Sequence, residues 1–452
     1  MNAPARGDVR WGRALLLASL VPPLLLAHAL VLRRADGALI ALLLVWWAIA
    51  CAAIARRTAR WPRLVGPMLA LAALHLFALT PELALRLVDF RHESGVRFGY
   101  PSPAAFATYV PHPTRFWALP ATRPGVNELG LPGPALPAND GRDPSVVRLA
   151  IYGDSVAARA LGQIDYGTLA AGMLQRRRAD DPRPVEIWTL ALPGYATSQG
   201  RALVDETAMR LAPDVAFVHF GWNDHWRARG AVDADQAPMR DDTPARLARA
   251  LLRRVRVAQA SAWLLGRLRG GETAPQPGDP PRVPLIDYRR NLRAMSDALE
   301  AAGARVVLMT APSAHARIGV PDYLIEFGFA ASADEVLARH RQYNDAVRAL
   351  VAEVNGDRAN GVTGVNEAGD RRRPWVLLDV AARWRDAPDL AQRFTRDGIH
   401  LRPRGQAQIA AEVAAAAASL LDARAAADAG TSDSALSAEA LSSALSTEEV
   451  AE

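Results

Sequence analysis

Residues 146–162 read VVRLAIYGDSVAARALG, an apolar run that stops at Gly153-Asp154-Ser155 and resumes with helix-forming residues. A short apolar stretch ending in glycine predicts a buried strand over 147–153, and the continuation predicts a helix over 157–178. Asp and Ser at such a junction have an ordinary role as caps that accept backbone N–H groups. They also have a sharper one. A serine on a tight turn at the carboxyl end of a strand stands clear of the sheet, where its hydroxyl can act as a nucleophile. Partners elsewhere in the chain decide between the two.

The same alternation recurs downstream. VEIWTLA (185–191), DVAFVHFG (214–221), ARVVLMTAP (304–312) and WVLLDV (375–380) read as buried strands, and helices are predicted over 198–211, 285–302, 333–354 and 404–424. Short apolar strands separated by longer helices define an α/β fold, here three layers, α/β/α, around a mainly parallel five-stranded sheet. Sites in open sheets of this kind lie beyond the carboxyl ends of the strands. Three further blocks fall in such positions: Leu192-Pro193-Gly194-Tyr195, Gly221-Trp222-Asn223-Asp224 and, before the last helix, Asp397-Gly398-Ile399-His400. Asp-x-x-His lets one turn bring a carboxylate against an imidazole and leave the far ring nitrogen free as a base. Among nine histidines only His400 has such a partner nearby. His219, inside a strand, reads as a core residue, and His225 as a substrate contact at most.

In combination these blocks resemble the SGNH hydrolases, also called GDSL esterases and lipases. That family draws Ser, Gly, Asn and His from four blocks, matched here by GDS at 153–155, Gly194, GWND at 221–224 and DGIH at 397–400, over roughly residues 147 to 420. Val156 replaces the leucine of the name motif at a position without chemical duty. The resemblance implies that Ser155 is the nucleophile, His400 the base and then the acid, and Asp397 the orienting carboxylate. It further implies an oxyanion hole made of the backbone N–H groups of Ser155 and Gly194 and the side-chain amide of Asn223. Asp154 and Asp224 are expected to be structural. No metal or cofactor is called for.

The first 91 residues have a different character. Ala14–Leu32, Gly37–Ala55 and Leu64–Pro81 contain no Asp, Glu or Arg, and each approaches the ~20 residues that cross a bilayer. About three transmembrane helices are therefore expected, the third being marginal, followed by a proline-rich extended arm over 92–146. Ala27-His28-Ala29 also fits a signal-peptide cleavage site. Arg6, Arg10 and Arg13 precede the first span, and Arg56, Arg57, Arg60 and Arg63 follow the second. By the positive-inside tendency the N-terminus is cytoplasmic and everything after residue 90 lies outside, in the periplasm or beyond the cell.

The net charge of +6 belongs to this membrane pattern. Nine arginines against Asp8 and Asp36 place seven positive charges in residues 1–63 and leave the remaining 389 residues at −1, which removes the case for a nucleic-acid partner. The chain has no lysine, which excludes a Schiff-base nucleophile and a Walker phosphate loop. Its single cysteine, Cys51, lies in the second apolar span, so no intrachain disulfide can form.

The catalytic domain is expected over 147–424, interrupted at 225–283 by an insertion whose stretch LARALLRRVRVAQASAWLLGRLRG (247–270) segregates apolar residues from arginines at helical spacing. Such a helix either packs its apolar face on the core or forms a lid or lipid-touching surface. Residues 425–452, rich in Ala, Ser, Glu and Asp, read as a disordered acidic tail. These expectations describe a membrane-anchored, outward-facing serine esterase that acts on O-acyl, in particular O-acetyl, groups of cell-envelope glycans or acyl lipids. Acyl transfer to an envelope polysaccharide and glycan binding by a non-catalytic scaffold are the alternatives.

Overall fold

The computed structural model describes residues 80–82, 84–86, 88, 90, 108–138, 141–158, 165–228, 232–235, 255–268, 278–360 and 373–428. The chain divides into two units, one of residues 1–96 and 240–273, the other of 97–239 and 274–452. The expected spans and most of the expected tail lie outside the described residues. Among those residues, no helix is long and apolar enough to cross a membrane.

The larger unit is built on five parallel strands: β3 (Val147–Gly153), β4 (Val185–Ala191), β5 (Val215–His219), β6 (Arg305–Met309) and β7 (Val376–Leu378). They are ordered β4-β3-β5-β6-β7 across the sheet. The sequence pattern explains why β3 is an interior strand. All seven of its residues are buried, with Val147, Leu149 and Ile151 in the apolar cluster on one face and Ala150 and Tyr152 in that on the other. Side chains alternate between faces with period two, so a strand covered on both sides must be apolar throughout. Each large aliphatic side chain buried in this way contributes roughly 1.5–3 kcal/mol.

Helix α1 (Tyr166–Arg177) and the last helix cover the first face through Ala170, Leu174, Ile409, Val413 and Leu420. Helices α2 (Thr197–Leu211), α4 (Leu285–Ala301) and α5 (Ala333–Ala359) cover the second through Leu203, Val204, Leu292, Met295, Val347 and Leu350. The smaller unit contains α3 (Arg256–Leu268), and the last helix, α6, runs from Pro403 to Asp428. The five expected strands and the helices expected around them are present. Strands β5, β6 and β7 are shorter than the apolar runs that announce them, and the residues after β5 lead into the turn that carries Asn223. Of the helix expected over 157–178, α1 forms Tyr166–Arg177, with Asp165 accepting from Thr168 N–H at 2.9 Å as its N-cap, and residues 159–164 lie outside the described residues. Residues 425–428 of the expected tail belong to α6, which continues through Asp428.

One expectation is corrected outright. The proline-rich stretch within 92–146 is not a free arm over its described residues. It forms the hairpin of β1 (Val110–His112) and β2 (Phe116–Ala118). Phe116, Trp117, Leu119, Leu131 and Leu136 are buried in the second apolar cluster. Prolines suppress helical and strand periodicity in this stretch, but its aromatic and aliphatic residues are numerous enough to pack.

Candidate active site

Ser155 sits in the turn after β3. A Cβ added at Gly153 would lie 2.7 Å from the Ala157 Cβ and 2.9 Å from the His219 carbonyl oxygen, so only glycine lets the turn fold this tightly against β5. Asp154 does what its capping chemistry suggests, its Oδ1 accepting from Val156 N–H at 2.9 Å. The carboxyl is fully buried, and burial pushes its pKa up to about 6 against the opposing hydrogen bond from Val156 and the charge of His400.

The chain returns to this point 245 residues later. His400 Nε2 stands 2.9 Å from Ser155 Oγ, and its Nδ1 stands 2.6 Å from Asp397 Oδ2. The other carboxylate oxygen of Asp397 accepts from Thr395 Oγ1 at 2.6 Å and from the N–H groups of Ile399 and His400, each at 2.9 Å. Burial alone would raise the Asp397 pKa, but these donors and the His400 side chain hold it well below the usual carboxylate range. An ionised Asp397 only accepts, so the imidazole proton resides on Nδ1 and Nε2 is left to accept from the serine hydroxyl. Burial tends to lower the His400 pKa, but the hydrogen bond and charge of Asp397 and the charge of Asp154 prevail and raise it.

The Gly194 and Asn223 blocks meet beside this group. Gly194 has φ of +83°, a left-handed turn that glycine adopts without strain. Asn223 Nδ2 donates to the Tyr195 carbonyl at 3.0 Å and so ties the two blocks together, while its second amide hydrogen is not used in that bond. Among the described residues, no backbone hydrogen bond engages the N–H of Ser155 or of Gly194. Asp224 is buried and accepts from Thr197 N–H at 2.8 Å and Thr197 Oγ1 at 2.5 Å. Burial pushes its pKa up to about 7 despite those bonds.

Residues 151–408 match the GDSL-like lipase/acylhydrolase family. The chain belongs to that family. No curated protein matches it. Among solved structures, this GDSL-family chain is similar to the lipase/acylhydrolase from Enterococcus faecalis, at 14% identity, 60% of this chain, 94% of that one and a TM-score of 0.36. It is also similar to an acetylxylan esterase from Geobacillus stearothermophilus, at 15% identity, 58% and 90% coverage and a TM-score of 0.34.

One correction belongs to this GDSL site. His225, expected as a substrate contact, is buried at 1% exposure among Trp222, Trp226, His340 and Tyr343, and has no surface to offer a substrate. Burial, reinforced by the charges of His340 and Arg339, drives its pKa well below the ordinary histidine value. His219 is a core residue, with Tyr166 Oη 3.0 Å from its Nδ1. Among the described residues, no group of three or more His, Cys, Asp or Glu side chains could hold a metal ion.

The sequence reading missed the residues that support the Gly194 turn. Arg282 is buried and forks onto Asp233 at 3.1 and 2.8 Å, while its Nη1 donates to the Gly194 carbonyl at 2.8 Å. Gln199 bridges the same parts, its Oε1 accepting from Ala196 N–H at 2.8 Å and its Nε2 donating to Asp233 at 3.2 Å. From the other side, Tyr195 Oη donates to the Trp117 carbonyl at 2.7 Å, so the hairpin segment also braces this turn.

Proposed function

We propose that the chain is a serine esterase, anchored in the membrane by its N-terminal apolar segments, that removes acyl groups, in particular acetyl, from cell-envelope glycans. The observation that carries the catalytic reading is the continuous chain of hydrogen bonds from Ser155 through His400 to Asp397. In this mechanism His400 Nε2 takes the Ser155 proton as Oγ attacks the ester carbonyl. The tetrahedral oxyanion is held by the N–H groups of Ser155 and Gly194 and the free amide hydrogen of Asn223, and preorganised donors of this kind are worth most where charge develops. Collapse breaks the C–O bond, His400 returns the proton to the departing alcohol, and a water activated by the same imidazole releases the acid and restores Ser155.

The outward location rests on the arginine pattern around the apolar segments, and the glycan substrate class on that location. Purified full-length chain, reacted with a fluorophosphonate, should carry the label on Ser155 and lose turnover of acetyl esters. Retained turnover in Ser155→Ala would overturn the serine mechanism. A panel of O-acetylated glycans and acyl lipids, scored for released acid and for acceptor modification, tests the substrate class and separates hydrolysis from transfer. For topology, Ser94→Cys in a Cys51→Ala background should be alkylated by a membrane-impermeant reagent in intact cells. Labelling only after lysis would reverse the orientation.

A further inference from the structure

Helix α3 is turned inside out for a helix in water. Gln259 is buried at 6% exposure, whereas Leu264, Leu265 and Leu268 stand 52%, 51% and 74% exposed. At 3.6 residues per turn these three leucines fall within an arc of roughly 100°, the width of the stripe a surface helix normally buries. Three leucines of the expected amphipathic stretch are thus exposed.

Within the same unit, the segment that follows the third apolar run meets this helix. Glu82 Oε2 accepts from Val257 N–H at 2.9 Å and satisfies a donor at the start of α3, while its Oε1 accepts from Arg86 Nε at 2.8 Å. Phe90 meets the edge of the Trp263 ring at 6.1 Å between centroids. Val88, on the segment that carries Glu82 and Phe90, is likewise 74% exposed.

Charge identifies the partner. Between Asp242 and Glu272 the sequence carries seven arginines and no acidic residue, in a part of the chain that is otherwise close to neutral. An amphipathic helix with an exposed leucine stripe and a tryptophan beside it, set in a stretch of sequence whose only charged residues are arginines, is the form that lies along an anionic bilayer surface with its apolar arc sunk between headgroups. We infer that α3 lies in the headgroup region of an anionic lipid leaflet, with Leu264, Leu265 and Leu268 facing the acyl chains. This rests on the membrane anchoring proposed above and adds a second, lateral attachment to it.

The test is spin-label accessibility on the full-length chain in lipid nanodiscs. In a Cys51→Ala background, nitroxides are placed singly at Leu264→Cys and Leu268→Cys, with Leu71→Cys as a marker of the third apolar run. Oxygen collisions should exceed those of a water-soluble nickel complex at positions 264 and 268, with greater depth in phosphatidylglycerol-containing discs than in pure phosphatidylcholine. Dominant nickel collisions at 264 and 268 place the helix in water and overturn the inference, whatever residue 71 reports. Low accessibility to both reagents means that protein covers the leucines, and also overturns it. Equal depth in the two lipids removes the anionic partner. An aqueous reading at residue 71 counts against the anchoring itself, so the two failures are distinguished.

Discussion

Arg282 donates to the Gly194 carbonyl oxygen at 2.8 Å while Asp233 grips the rest of its guanidinium, so a fully buried ion pair sets the peptide plane next to an expected oxyanion donor. Removing one partner of such a pair leaves an unpaired buried charge and costs about 3–5 kcal/mol. Arg282→Met should therefore lower stability by about that much in urea unfolding. The double variant Arg282→Met with Asp233→Leu should regain most of it yet keep a depressed kcat, because the Gly194 turn has still lost its brace. Full recovery of kcat in the double variant would show that the pair serves the fold alone.

Asn223 has two amide hydrogens and gives one to Tyr195. Asn223→Ala should lower kcat by roughly 10²–10³, the usual effect of deleting one oxyanion donor. The loss should fall on kcat more than on KM, because the interaction develops in the transition state. Steady-state kinetics on a soluble acetyl ester checks both statements.

The His400 pKa is raised above 6.5 by Asp397 and Asp154 acting against burial. A general base works unprotonated, so activity should rise along an acid limb placed above the ordinary histidine value. Asp397→Asn should move that limb toward lower pH and reduce kcat by roughly 10⁴, as expected when the orienting carboxylate is replaced by an amide. A pH–rate profile of kcat/KM with the limb unmoved would contradict the assignment of Asp397.

Asp224 is a buried carboxyl whose pKa is pushed up to about 7 from 3.8. The folded state then holds a proton that the unfolded state releases, so this group stabilises at low pH and its contribution falls as pH rises from about 4 through about 7. Asp154, raised to about 6, acts in the same direction over the lower part of that window. Melting temperature measured from pH 4 to 8 should carry this downward component, and Asp224→Asn should flatten it.

The sheet and the Ser155 turn were legible because both are local. The apolar run of β3 is long, and Gly153-Asp154-Ser155 interrupts it at the carboxyl end of the strand. Asp397 and His400 were legible for a related reason, their spacing fitting one turn. Arg282 was not, since its partners Asp233 and Gly194 are 49 and 88 residues away and nothing in the sequence sets it apart from 52 other arginines. His225 misled because adjacency in sequence to Asn223 says nothing about the side from which a side chain leaves the turn. The hairpin escaped notice since prolines mask period while leaving aromatic residues free to bury.

The antiparallel bridge between Phe394 and Leu401 pinches the segment holding Asp397 and His400 into a short closed loop, reinforced by Thr395 N–H to the His400 carbonyl at 2.8 Å. Asp397 and His400 are thereby mounted together on one bracket, and a single long-range fit, that of the bracket to Ser155, completes the trio. Chain inserted anywhere between the serine and the bracket leaves the imidazole's tilt and proton location untouched. The scaffold can thus accommodate an excursion as large as residues 240–273 between its nucleophile and its base without retuning either.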